Sequence, residues 1–324
     1  MNLYPLIKLL SKGQFQTGTQ LGEILGISRT AVWKQIQQLS GLGLEVVTKK
    51  NNGYKLHEPL HLIDLDIVQN SLQKANSSLV LNFFSTLDST NSELSRRISK
   101  DPDSANKQFL LTENQTAGRG RRGRDWYSPY AASLSMSLSF KVEGGANVLQ
   151  ALSLAVGVEI KRVLEKHGIN NVLLKWPNDL YLNDSKLGGI LIELKGDLAG
   201  PCNLIVGFGI NVFRPKRIPD LDQPIAFLSD VKKAGICRSK LAAELALAVD
   251  KLVTDYPEKG FKPFKDAWNE AHIWKGKKAN IISSNQSISV ILGGVTATGE
   301  LQVVYEDGSS GVINAGEVSV RAIK

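Results

Sequence analysis

Between Ala132 and Phe140 the chain alternates strictly: Ala132, Leu134, Met136, Leu138 and Phe140 take one parity, and Ser133, Ser135, Ser137 and Ser139 take the other. Successive side chains of a strand point to opposite faces, so this run predicts a β-strand that buries one face of a sheet. A helix cannot use the pattern, because its apolar stripe recurs every three to four residues. The segments around the strand mix both periods. Helices are expected near Ile67 to Lys74 and over Val148 to Lys166, Ser239 to Tyr256 and Phe261 to Ala271; strands are expected over Leu173 to Trp176, Gly189 to Leu194 and Asn203 to Val212. Residues 67–270 therefore read as a mixed α/β layer domain. From Lys275 short strands alternate with turn signals at Gly293-Gly294, Thr298-Gly299 and Asp307-Gly308, which predicts a small β-barrel over 275–324.

The first sixty residues follow another pattern. An apolar helical face (Leu3, Leu6, Ile7, Leu9, Leu10) precedes a second one, Leu21, Ile24 and Leu25, that stops at Gly26. Ser28 is placed to cap a third helix in which Val32, Ile36 and Leu39 face inward. This is helix-turn-helix spacing, and it puts Ser28, Arg29, Thr30, Trp33 and Lys34 where a recognition helix meets DNA. The strands Val46 to Thr48 and Gly53 to Leu56 flank Lys49-Lys50-Asn51-Asn52, a basic hairpin that reads as a wing. Residues 1–60 are thus a winged helix-turn-helix, and a linker runs from Pro59 to Asp66. A helical domain for protein contacts is the other reading.

Charge supports a polyanionic partner. Lys8, Lys12, Arg29, Lys34, Lys49, Lys50 and Lys55 stand against Glu23, Glu45 and Glu58, a net +4 of the chain's +8. At 324 residues, two or three domains are expected. The 42% hydrophobic and 22% charged residues exclude a disordered chain, and no run reaches the ~18 apolar residues of a membrane span. Lys8 interrupts the first apolar stretch, so no signal peptide is expected and the chain reads as cytoplasmic. Cys202 and Cys237 cannot form a disulfide framework. His57, His61, His167 and His272 share no ligand spacing and read as structural or exposed.

The segment Gln115-Thr116-Ala117-Gly118-Arg119-Gly120-Arg121-Arg122-Gly123-Arg124-Asp125-Trp126 carries the most chemistry. Its glycines match a dinucleotide fingerprint formally, but that loop must open a helix and this one leads into the serine-alternating strand. No Walker loop is present either, since Gly276-Lys277 lacks the preceding glycine and the following hydroxyl. Four guanidinium groups on a glycine backbone can wrap a carboxylate or phosphate, or form a solvated basic loop. Downstream, the turn Lys175 to Tyr181 is broken by Pro177, and Lys186 stands at the entrance of the return strand to Glu193.

In their order, Asp88-Ser89-Thr90-Asn91, the Gly/Arg loop, the Lys175 to Tyr181 turn, the Lys186 to Glu193 strand and Gly207-Phe208-Gly209-Ile210-Asn211-Val212 resemble the motifs of biotin protein ligases. With the terminal modules, the resemblance covers nearly the whole chain and points to the bifunctional subgroup that also represses the biotin operon. It implies an α+β multidomain protein whose central domain resembles class II aminoacyl-tRNA synthetases and whose carboxy-terminal barrel is SH3-like. It also implies that biotin's carboxylate attacks ATP to give biotinyl-5′-AMP, from which biotin passes to a lysine of the biotin carboxyl carrier protein of acetyl-CoA carboxylase.

By the same resemblance Lys186 bridges the biotin carboxylate and α-phosphate, and Arg119 and Arg121 hold biotin and the adenylate in the folded loop. Ser89, Thr90 and Asn91 would bond the ureido ring, with Gln115, Gly118, Gly120 and Gly189 closing the biotin pocket. Arg122, Arg124 and Trp126 would complete the nucleotide side. Asn178 and Asp179 would face ATP phosphates and magnesium, direct metal ligands being unassigned, and Asn211 and Arg321 would border the nucleotide. From spacing alone, Thr90-x-x-Glu93 is equally a helix capping box. The implied partners are biotin operator DNA and, with adenylate bound, a second copy of the chain; no membrane is involved. A repressor that binds biotin or its adenylate without transferring it, and a lipoate ligase, are the competing readings.

Overall fold

The computed structural model describes residues 2–197, 199–283, 286–315 and 318–322; the end of the expected 275–324 segment lies outside them. At the amino terminus are α1 (Tyr4–Leu10), α2 (Gly18–Leu25) and α3 (Arg29–Leu39). Thr17 and Gln20 form a reciprocal capping box on α2, which ends on left-handed Gly26. Ser28 Oγ accepts from Ala31 N at 3.2 Å and starts α3. The hairpin of β1 (Val46–Lys49) and β2 (Gly53–Leu56) follows as expected. Leu6, Ile7, Leu10, Leu21, Val32, Ile36 and Leu39 form the core here, and Tyr130 and Ala131, from far along the chain, complete it.

Next come α4 (Leu65–Lys74), β3 (Val80–Phe84), α5 (Thr90–Lys100), β4 (Gln108–Thr112), the short strands β5 (Gly118–Arg119) and β6 (Asp125–Trp126), and β7 (Ser133–Val142). They are followed by α6 (Leu152–Lys166), β8 (Val172–Lys175), β9 (Asp179–Leu182), β10 (Ser185–Gly196), β11 (Cys202–Asn211), α7 (Arg238–Lys259) and α8 (Lys265–Ala271). One seven-stranded sheet has the order β3-β4-β7-β11-β10-β9-β8; β3 and β4 are parallel and the remaining pairs antiparallel. In β7 both faces are buried, not one: Ser133, Ser135, Ser137 and Ser139 are as inaccessible as Leu134, Met136 and Leu138. The leucines and Met136 join the main core with α6 and α7. On the other face each serine hydroxyl finds a partner, as a buried polar group must: Ser137 on Thr90 and Asn91 of α5, Ser133 and Ser135 on Ser128, and Ser139 on the carbonyl of Ala105. The helix expected over 148–166 is interrupted, because Ala151 takes a left-handed conformation between a 3-10 turn and α6.

The carboxy-terminal strands are β12 (Lys278–Ile282), β13 (Ser287–Val295), β14 (Leu301–Tyr305), β15 (Ser310–Ile313) and β16 (Ser319–Ala322), in the antiparallel order β15-β14-β13-β12-β16. Gly293-Gly294 is no turn but an irregularity within β13, where Gly294 lies against Asn269. Trp176 Nε1 donates to Gly299 O at 3.0 Å, tying this sheet to the larger one. His272 is buried on Trp268, and burial pushes its pKa down to about 4. Both cysteines are free, Cys202 buried and Cys237 partly so. Among the described residues no helix is long and apolar enough to cross a membrane.

One ion pair joins these parts. Glu113 and Arg238 have side chains 0% and 1% exposed and meet at 2.6 Å. Glu113 Oε1 also accepts from Ile63 N at 2.6 Å, and Arg238 donates to the carbonyls of His61 and Ser133. Asp64 N donates to Ser239 Oγ at 2.8 Å. The segment leaving the amino-terminal helices is thus pinned to the start of α7 and to the residue from which the Gly/Arg loop departs. Glu113→Gln leaves the buried guanidinium without its counter-charge, an imbalance that costs about 3–5 kcal/mol. Urea unfolding should show that loss, and a drop under about 1 kcal/mol would mean the joint does not depend on the pair.

Candidate active site

The amino terminus of α5, the β5–β6 hairpin, the turn between β8 and β9, and β16 surround one cleft on the serine face of the large sheet. The face is hollow because Gly207 and Gly209 pair with Ser137 and Ser135, leaving no bulk there. A Cβ on Gly207 would lie 1.8 Å from Asn91 Oδ1, and one on Gly209 would lie 2.4 Å from the Trp126 indole. Both side chains therefore rest directly on strand backbone.

Ser89, not Thr90, caps α5: its Oγ accepts from Ser92 N at 3.4 Å. The box expected over Thr90 and Glu93 does not form, since Glu93 binds Arg96 and Arg97 instead. Thr90 is left to the cleft, where its N and Oγ1 donate to Gln115 Oε1 at 2.8 and 3.1 Å. Ser137 Oγ lies 2.6 Å from both Thr90 Oγ1 and Asn91 Oδ1. Asn91 Nδ2 donates to Leu191 O and to Glu193 Oε2, the latter at 2.7 Å. This end is an ordered wall of neutral hydrogen-bonding groups.

The glycine-arginine segment is a closed hairpin. Gly120 N donates to Arg124 O at 2.7 Å, and left-handed Arg122 makes the turn. Arg119 reaches back to Glu193 at 3.0 Å and to Ser92 Oγ at 3.0 Å, holding the hairpin to α5 and β10. Arg121 turns the other way, to Asn178 Oδ1 at 3.5 Å and to the carbonyl of Ala315. Burial lowers the Arg121 pKa from its usual value. The Trp126 Nε1–H is buried with no hydrogen-bond partner among the described residues, a donor left open beside the cleft.

At the opposite end Lys186 Nζ lies 2.8 Å from Asp179 Oδ1, and Lys175 Nζ lies 3.9 Å from Asp179 Oδ2. Burial depresses Lys175 to about 8, although the Asp179 charge opposes this. Lys186 stands opposite Tyr181 of β9, and the register shifts just past it, between Lys186 and Gly188. On the other edge of β10, where the pairing with β11 stops at Gly188, a strap takes over: Lys186 N donates to Pro224 O at 3.0 Å, and Ala226 N to Lys186 O at 2.9 Å. Asn178 Nδ2 donates to Ile190 O at 2.7 Å and fixes the turn.

Ser89, Thr90, Asn91, Gln115, Arg119, Gly120, Arg121, Arg122, Arg124, Trp126, Asn178, Asp179, Lys186 and Gly189 all line this cleft. Gly118 is packed behind Trp126 and Gln115. Asn211, expected beside the nucleotide, is buried and directs its amide at the carbonyls of Ala226 and Lys186, so it holds the strap. Arg321 is exposed on β16, outside the lining. Lys175 and Glu193 stand inside motifs that give them no role of their own, and Gln223 and the strap at 224–226 lie outside every motif. Ser28, Arg29, Thr30, Trp33, Lys34, Lys49 and Lys50 are all exposed in the amino-terminal unit, apart from the cleft. Among the described residues no group of three or more His, Cys, Asp or Glu could hold a metal ion.

A ligase class is defined by this fold and cleft. The model of the "Biotin/lipoate A/B protein ligase family" matches residues 83–211, and that of an HTH domain matches residues 3–55. The "Bifunctional ligase/repressor BirA" of Salmonella typhimurium is 36% identical over 98% of this chain and 97% of that protein. Its counterpart from Escherichia coli is 35% identical over 98% and 96%. The structure titled "Biotin protein ligase from Aquifex aeolicus in complex with biotin and ATP" aligns with a TM-score of 0.65 at 28% identity, over 75% of this chain and 99% of that one. The chain belongs to the biotin protein ligase family, alongside the bifunctional ligase/repressors.

Gly207→Ala tests the hollow in the sheet. The new methyl overlaps Asn91 and must expel its side chain from the bonds to Leu191 and Glu193. Overpacking of this kind costs about 1–3 kcal/mol. An unchanged denaturation midpoint would mean that Asn91 is not confined as described.

Proposed function

We propose that the chain is an ATP-dependent biotin protein ligase that forms biotinyl-5′-AMP and transfers biotin to a carrier-protein lysine. It is also a repressor of biotin synthesis whose corepressor is biotinyl-5′-AMP. The observation that carries the chemistry is the polarity of the cleft: a neutral wall of Thr90, Asn91 and Gln115 at one end, and Lys186, Lys175 and Arg121 around Asp179 at the other. The wall suits the uncharged ureido ring, with Ser89, Gly118, Gly120 and Gly189 closing around it. The cationic end offsets the repulsion between a carboxylate and the α-phosphate, and preorganised charge in a confined site is worth far more than in water.

Lys186 bridges the two reacting groups once it leaves Asp179. Arg119 and Arg121 close the hairpin over the adenylate and shield the anhydride from water. Arg122, Arg124, Trp126, Asn178 and Asp179 serve the nucleotide, with Asn211 supporting Lys186 from behind and Arg321 at the rim. Magnesium would enter on the ATP phosphates. The donor set fits that role, since Asp179 is one carboxylate already shared by two lysines and magnesium commonly takes one or two carboxylates plus substrate phosphates.

The division into 1–60, 67–270 and 275–324, the kinship to class II aminoacyl-tRNA synthetases and the SH3-like form of the last sheet belong to this reading. So do a cytoplasmic location, the biotin carboxyl carrier protein as acceptor, and a homodimer on operator DNA. A repressor that only senses biotin would not need a lysine and an arginine aimed into the same cleft. The direct test is the mass of a carrier domain incubated with protein, ATP and biotin or lipoate; modification by lipoate, or none, overturns the assignment.

Lys186→Ala removes a cation that acts in the transition state, so pyrophosphate release should fall about 10²- to 10³-fold with folding retained. Release at the unmodified rate refutes the role.

A single winged helix grips one half-site weakly, so repression needs two copies at fixed spacing. Operator affinity should therefore rise when biotinyl-5′-AMP occupies the cleft, by a coupling of about 1–3 kcal/mol per protomer. Anisotropy titrations at fixed salt, with and without adenylate, measure it; equal affinities end the corepressor reading and leave the ligase reading untouched.

A further inference from the structure

Functional groups in the cleft form a row across the sheet. Asn91 and Trp126 rest on the glycines of β11, Lys186 stands on β10, Asp179 on β9 and Lys175 on β8. These four strands are consecutive neighbours, spaced about 4.8 Å apart. Lys175 therefore lies beyond Lys186 from the neutral wall, across the Asp179 carboxylate that both ammoniums face.

Its surroundings are those of a binding group rather than a filler. The side chain is 12% exposed, and the ammonium stands 4.8 Å from the centroid of Trp274 and 5.4 Å from that of Tyr181. Two aromatic faces hold a cation but accept no conventional hydrogen bond. Among the described residues its one hydrogen bond is to Tyr181 OH, at 3.4 Å, and Asp179 at 3.9 Å is an ion-pair neighbour beyond hydrogen-bond reach. An ammonium has three donors, so most of this one's capacity is unspent in a buried place facing the cleft. The lining as a whole carries six lysines and arginines against Asp125 and Asp179, an excess that suits a ligand with several negative charges.

We propose that Lys175 is a catalytic residue that binds the terminal phosphates of ATP and holds the pyrophosphate as it leaves. The inference rests on the ligase reading and adds a residue to it. In the displacement a carboxylate oxygen bonds to the α-phosphorus while the bond from that phosphorus to the α,β-bridging oxygen breaks. The electron pair stays on the departing oxygen, so the products are the acyl-adenylate and pyrophosphate. In-line geometry places attacking and leaving oxygens on opposite sides of phosphorus. With the biotin end on β11 and Lys186 at the reacting centre on β10, the leaving group points towards β9 and β8. Lys175 meets it there, and the aromatic cage keeps the ammonium from folding onto Asp179.

Lys175→Met keeps the stem in the cage and removes the charge; Lys175→Arg keeps the charge. Three reactions are compared: pyrophosphate release with biotin and ATP, the reverse reaction of biotinyl-5′-AMP with pyrophosphate, and transfer from preformed biotinyl-5′-AMP to a carrier domain. The methionine variant should raise the KM for pyrophosphate about 10- to 100-fold and slow release, with arginine restoring part of both and transfer unchanged in each. In the unmodified protein, saturating pyrophosphate should protect Lys175 from a lysine-acylating reagent, a measurement that needs no variant to fold. Unaltered KM for pyrophosphate in folded Lys175→Met, a transfer rate that falls in parallel with release, or no protection of Lys175 overturns the inference. Absence of biotin-dependent release in the unmodified protein would instead overturn the ligase reading.

Discussion

Glu113 and Arg238 are two charges that water does not reach, and several otherwise separate parts of the chain meet on them. The carboxylate takes the amide of Ile63 and the guanidinium takes the carbonyls of His61 and Ser133. A buried pair of this kind adds little net stability over an apolar pair of equal shape, but removing one member is severe, because the other stays charged and dry. Its service here is geometric. It sets where the segment after the winged helix lands, where α7 begins, and the point from which the Gly/Arg hairpin leaves β4. Tyr130 and Ala131, just past that hairpin, enter the amino-terminal core. The hairpin over the cleft is thus rooted at one end in the ion pair and at the other in the DNA-binding unit.

The cleft itself comes from what the sheet lacks. Serines on β7 and glycines on β11 leave a shallow face between α5 and the hairpin, and side chains from both sides come to rest on it. Serine contributes a hydroxyl that can satisfy Thr90 and Asn91 at close range, which alanine of similar size could not. Lys186 stays in register with Tyr181 of β9 beside an irregularity, and on its other edge, beyond the last pair with β11, the strap with Asn211 behind it supplies the backbone contacts.

Much of this was legible in the residues. Strict alternation placed β7, Ser28 and Gly26 set the boundaries of two helices, and the ordered motifs named the residues of the cleft. Other features resisted for identifiable reasons. Period two distinguishes two faces but does not say that the polar one is exposed, and small serines are readily buried when neighbouring segments supply partners, as Thr90, Asn91, Ser128 and Ala105 do here. The Thr90-x-x-Glu93 spacing was compatible with a box, yet Ser89 one residue earlier took the cap and Glu93 found arginines. Ala151 carries no local signal for its left-handed turn, and Gly293-Gly294 resembles a turn while serving a close approach to Asn269. The strap at 224–226 has no periodicity at all; it exists because Lys186 offers unpaired backbone groups.

Where apolar contact is continuous, heat should not respect the boundaries drawn along the chain. Leu174 and Trp176 of the large sheet share one unbroken core with Val290, Leu292, Leu301 and Val303 of the carboxy-terminal strands, whereas the amino-terminal helices keep a cluster of their own. Segments that share a core melt together, and segments that meet mainly through polar contacts can open separately. The calorimetric units of this protein should accordingly be two rather than three: the last two modules absorbing heat as one, and the smaller, first unit taking with it the Tyr130 corner that borders the glycine-arginine hairpin.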